Sequence, residues 1–146
     1  MNKTNEFVNV GNARLEDQKR VMEEILAAGH CPFCPDHLFK YHKKPILKET
    51  RFWVLTLNQW PYSDTSLHFL VIHKQHVEMP GDVKPGAFQE LRDLWNWVVL
   101  QYRIESGALC LRFGGMGAAT VKHLHAHIIV PDQTKPENAI VRFKVG

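Results

Sequence analysis

Residues 122–131 read Lys-His-Leu-His-Ala-His-Ile-Ile-Val-Pro, and this run constrains the chain more than any other stretch. A glycine-rich turn precedes it, its second half is β-branched and a proline closes it, which is the pattern of a strand. Side chains two apart on a strand share a face, so His123, His125 and His127 point one way while Leu124, Ala126 and Ile128 point the other. A sheet with one apolar face and one histidine-bearing face follows. A single His-x-His pair would be an ordinary solvated face; three alternating imidazoles opposite an apolar face are not. His123 and His127 stand about 13 Å apart at ~3.3 Å per residue, too far to share one metal through bonds of ~2.0–2.1 Å. The histidines must divide their work.

The rest of the chain supplies elements for such a sheet. Residues 15–28 carry Val21, Met22, Ile25 and Leu26 at helical spacing, with Gly29 as the stop. The first ten residues are polar and expected to be loosely held. Residues 45–49, 51–57, 68–72 and 108–113 read as strands, with Asn58 and Pro61 among the breakers. Phe88, Leu91, Trp95, Val98 and Tyr102 form a stripe that predicts a helix over 85–105, its aromatic residues packed on the sheet. Cys110 is expected to be a small buried side chain, and residues 139–145 to add a strand or lie against a partner. At 146 residues, 45% of them apolar, the chain suits one domain with a core that needs no staples. A net charge of +3 with no Lys/Arg block does not point to nucleic acid. No apolar run approaches a membrane span, no signal-peptide core opens the chain, and three cysteines make no disulfide framework; a soluble, cytoplasmic protein is expected.

Cys31-Pro32-Phe33-Cys34 has two chemical readings. It looks like a glutaredoxin active site, where the motif follows a strand and opens a helix; here a helix precedes it, and Pro35-Asp36-His37 shows no helical pattern. Two thiolates close in sequence also make half of a tetrahedral zinc site, with two nitrogen ligands to come from elsewhere. For the histidine row, a neutral imidazole is a good nucleophile near neutral pH. The turn Gly114-Gly115-Met116-Gly117 can offer backbone N–H groups to an anion. Together they suit phosphoryl or nucleotidyl transfer.

His123-Leu124-His125-Ala126-His127-Ile128-Ile129 resembles the signature of the histidine triad (HIT) family, nucleotide hydrolases and transferases that act at the α-phosphate of nucleotide conjugates. Leu57-Asn58-x-x-Pro61-Tyr62, then His68-Phe69-Leu70-Val71-Ile72, then His76, resemble the same family in order and spacing. The likeness covers most of the chain from Cys31 to Pro131. It implies an α+β, HIT-like fold: a mainly antiparallel sheet with one long and one shorter helix, usually paired as a homodimer through the sheet and long helix. It also implies that His125 attacks the α-phosphate to form a nucleotidyl-histidine intermediate. His127 would contact the phosphoryl or bridging oxygen, His68 would sit across the site, Thr120 and the glycine turn with Gly117 would bind phosphate, and Asn58 would contact ribose. In a branch of this superfamily that includes bacterial members with an N-terminal C-x-x-C, structural zinc is held by four positions that correspond here to Cys31, Cys34, His76 and His123. His37, His42 and His73 compete with His76 for its place. Arg112 stands where many members have asparagine, Ala119 where glutamine is common, and His73 where proline is usual. Arg112 then either supplies charge to phosphate or forms an ordinary ion pair.

The resulting expectation is one domain over 1–146: an N-terminal helix and zinc-binding segment at about 14–42, a core at about 43–131 and a tail at 132–146. Two other classes compete, a zinc-stabilised nucleotide-binding module without turnover and a glutaredoxin-like redox protein.

Overall fold

The computed structural model describes residues 4–115, 117–135 and 140–145. Strands β1 (Ile46–Glu49), β2 (Trp53–Leu57), β3 (Thr65–His73), β4 (Ala108–Leu111) and β5 (His125–Pro131) form one sheet in the order β1-β2-β3-β5-β4. Every neighbouring pair is antiparallel. With helices α1 (Glu16–Ala28), α2 (Pro35–Tyr41) and α3 (Pro85–Gln101), the architecture is the α+β one expected.

The period-two pattern of β3 and β5 decides which side of the sheet each layer covers. Phe69, Val71, Ala126 and Ile128 pack with Ala87, Leu91, Leu94 and Val98 of α3, each fully buried aliphatic side chain contributing about 1.5–3 kcal/mol. The alternate residues Leu70 and Ile72 meet Val54 and Leu38 of α2 on the other face. That second face also carries the histidines. Over it lies an N-terminal layer in which Val8, Val10, Met22, Ile25, Tyr41 and Val121 form a core of their own.

Several expectations are corrected. The stretch before α1 is anchored: Val8 bridges Val121, and the Lys122 N–H donates to the Phe7 carbonyl. Val8 and Val10 are buried with Val121, and Phe7 packs against them, so the segment just before β5 captures this stretch. Pro35-Asp36-His37 opens α2, a third helix that the sequence reading passed over; proline presets the first turn, Asp36 complements the dipole, and Leu38 and Tyr41 give it a buried stripe too short for periodicity to reveal. Helix α3 stops at Gln101, four residues early, because Tyr102 leaves helical geometry and Arg103 adopts a left-handed φ of 52°. Its buried stripe runs through Ala87 and Leu94, leaving Phe88 at 39% and Trp95 at 40% exposure. Strand β5 starts at His125, since Leu124 N–H pairs with Val77 and Lys122 with Phe7 instead of with the sheet. Cys110 is half-buried, opposite His127 on the edge strand. In the tail, Ala139 lies outside the described residues, and 140–145 forms no strand.

Candidate functional site

Beneath the N-terminal layer the histidine face opens into a cleft of about 430 Å³, with His125 and His127 in its wall. Asn58, Thr120 and Arg112 also line it. Gly117 does not; it stands in the adjacent exposed turn, where the Asn12 side chain donates to its carbonyl and to that of Ala119, both at 2.7 Å. Gly114 and Gly115 line a separate small hollow near Glu78, and the Gly114 N–H is spent on the Glu78 carbonyl. The expected anion-binding role of that turn thus has no support at Gly114.

The hydrogen bonds fix the tautomer of each histidine. The Tyr62 N–H donates to His68 Nδ1 (3.1 Å), so the His68 proton sits on Nε2, which donates to His127 Nδ1 at 2.9 Å. His127 therefore carries its proton on Nε2, a buried N–H without a partner among the described residues. His68 is buried behind His127 and does not itself line the cleft. His125 Nδ1 donates to the His123 carbonyl at 2.5 Å, which leaves the Nε2 lone pair free. Phe33 meets the His125 ring edge-on at a centroid distance of 5.0 Å. Burial holds His68 and His125 down to about 4, with the Arg112 guanidinium adding to the effect at both. His127 is lowered further, first by burial and then by the neighbouring histidines and arginines. All three rings are neutral near pH 7.

Two chain segments outside the β-sheet close the cleft with positive charge. Arg14 lies over the Tyr62 ring at 4.6 Å and donates to the Trp60 carbonyl. Arg112 donates through Nε to the Lys144 carbonyl (2.8 Å), reaches the Tyr62 hydroxyl (3.4 Å) and stacks on Phe143 at 3.8 Å. Phe143 in turn meets His127 edge-on at 5.3 Å. The tail thus lies across its own cleft. Sequence reading missed Arg14 and Phe143, because their contacts are made only by the folded chain.

A second cluster sits at the start of the histidine run. Cys31, Cys34, His76 and His123 bring one ligand atom each to within 4.8 Å of one another. His123 Nε2 donates to the His73 carbonyl (2.6 Å) and turns its bare Nδ1 to Cys31 at 3.3 Å and Cys34 at 3.8 Å. His76 Nε2 faces the Glu78 carboxylate (3.1 Å) and turns Nδ1 to Cys34 at 3.6 Å. Two thiols and two unprotonated imidazole nitrogens, each imidazole held from behind by an oxygen, are a fitting donor set for zinc. The competitors lie elsewhere: His37 stacks on His30, His42 bonds Thr56, and His73 Nδ1 is engaged with Gln75. Burial pushes the Cys31 thiol up to about 12, opposite to the acidic thiol that glutaredoxin chemistry requires.

Residues 43–134 match the HIT domain family. No curated protein matches the chain. Among solved structures, a zinc-bound histidine triad family protein from Mycobacterium smegmatis superposes with a TM-score of 0.57 at 19% identity, over 80% of this chain and 84% of that one. A hypothetical histidine triad nucleotide-binding protein from Sulfolobus tokodaii gives 0.58 at 24%, over 78% and 77%. A HIT family hydrolase from Clostridium thermocellum gives 0.51 at 22%, over 70% and 91%. No helix among the described residues is long and apolar enough to cross a membrane.

Proposed function

The chain belongs to the HIT domain family, and from that membership we propose that it is a nucleotide hydrolase or nucleotidyltransferase acting at the α-phosphate of a nucleotide conjugate. The observation that carries the proposal is the free Nε2 lone pair of His125 in the wall of the cleft, beside the unpartnered Nε2–H of His127. In the first step that lone pair attacks the α-phosphorus: a P–N bond forms, the bond to the leaving group breaks, and its electron pair departs with the leaving group. In the second, water or another acceptor attacks phosphorus and the P–N pair returns to His125. His127 Nε2–H donates to a phosphoryl or bridging oxygen; His68 holds His127 in the tautomer that can do so. Thr120 and Arg112 bind phosphate and Asn58 the ribose.

Cys31, Cys34, His76 and His123 would hold a structural zinc ion, which when bound ties the N-terminal segment to the strand of the nucleophile. The protein is cytoplasmic and acts as a homodimer paired through the sheet and α3, whose outer side leaves Phe88, Trp95 and Leu100 exposed.

The test is turnover of diadenosine tetraphosphate, a nucleoside phosphoramidate and a sugar nucleotide, with and without inorganic phosphate. Release of a mononucleotide by wild type supports the proposal and names the acceptor. Nucleotide binding without release from any of the three overturns the enzymatic reading in favour of a binding module.

A further inference from the structure

We infer that the cleft selects conjugates whose leaving group is itself a polyphosphate, through Arg14, Arg142 and Lys144. This rests on the proposed function and deepens it. All three residues line the same cleft as His125 and His127, and Arg112 makes a fourth cationic residue there. Among the described residues no Asp or Glu lines it. Nor does any of the four cations have a carboxylate within ion-pair distance among the described residues, where the ion pairs are Lys74–Glu49, His76–Glu78, Arg92–Asp93, Lys122–Glu78 and Lys135–Asp64. Among the described residues the cleft therefore holds four positive charges with no carboxylate partner.

One α-phosphate, bearing a single negative charge in an anhydride or phosphoramidate, does not balance them. A polyphosphate leaving group does. Arg14 and Arg112 bracket Tyr62 from the N-terminal segment and from the end of β4, and the strap that carries Arg142 and Lys144 is tied to Arg112. The positive charges thus flank the ring that packs against both His68 and His127. A leaving amine such as a lysine side chain would be repelled by the same field. Arg14, Arg142 and Lys144 lie outside residues 43–134, the part of the chain that matches the family.

The experiment compares kcat/KM for diadenosine tetraphosphate with that for the adenosine 5′-phosphoramidate of a lysine amide, in wild type, Arg14→Gln and Arg142→Gln/Lys144→Gln, at low and high salt. In parallel, adenosine tetraphosphate and AMP are titrated calorimetrically. Wild type is expected to favour the polyphosphate and to lose that preference with salt; each variant lowers the ratio by about tenfold or more, mainly through KM. A wild-type ratio near one, or a ratio unmoved in both variants, overturns the inference while leaving the enzymatic reading standing. Tighter binding of the tetraphosphate than of AMP, lost in the variants but without turnover of either conjugate, upholds the charge selection and overturns the enzymatic reading instead.

Discussion

His123 and His125 are two residues apart, on the same face, yet the chain puts them to different uses. At His123 the proton-bearing nitrogen is Nε2, bonded to the His73 carbonyl, and Nδ1 faces two thiols. At His125 the proton-bearing nitrogen is Nδ1, bonded to the His123 carbonyl, and Nε2 faces the cleft. The residue type is shared; the backbone carbonyl that claims one ring nitrogen decides what the other is free to do. A strand that starts at His125 makes this division feasible, because just before it the N–H groups of Lys122 and Leu124 are taken by the Phe7 and Val77 carbonyls and Val121 bridges Val8.

The largest expected effect separates the two regions outright. His125→Ala should lower mononucleotide release by about three orders of magnitude or more while metal content, read by elemental analysis, stays at the wild-type value; loss of metal along with activity would merge the two clusters. Cys31→Ser should do the converse, releasing metal and lowering the melting temperature by roughly 10 °C. A variant that melts as wild type would show the cluster to be structurally idle.

The pH dependence is next in size. His68 is held near 4 by burial, against an unfolded value near 6.5, and His127 is lowered too. Between those values the unfolded chain binds protons that the folded one refuses, so stability falls as pH drops from about 6.5 towards 4 and is flat in these groups above 7. Thermal melts across that range check the sign. A melting temperature that rises on acidification would mean that the rings are charged in the folded protein.

Asn12→Ala should have the smallest effect. Losing both amide bonds to the Gly117 and Ala119 carbonyls should cost about 1–2 kcal/mol and raise KM a fewfold. An unchanged KM would detach the N-terminal segment from substrate binding at the loop that carries Gly117 and Ala119.

Much of this comparison is legible in the sequence because alternation is a local property: His125 and His127 against Ala126 and Ile128 need only the strand period. The four residues of the cysteine cluster were reached by resemblance, and the fold brings them together. What escaped depends on distant pairing. Val8 looks like part of a loose leader until Val121 is beside it. The α3 stripe is read one step off, since Ala87, small enough for close approach and for its carbonyl to take the Trp53 indole N–H, carries no hydrophobic weight in a periodicity count. Arg14 sits in a polar-looking segment and Phe143 in a strand-like one, and the destination of both is set only by the closed cleft.

The most direct measurement is mass spectrometry of enzyme quenched during turnover into alkaline denaturant, which preserves a phosphorus–nitrogen bond. The account predicts a nucleotidyl group on His125 alone, absent in His125→Ala. A nucleotidyl group on His123 or His127, or steady turnover with no adduct on any histidine, would contradict it.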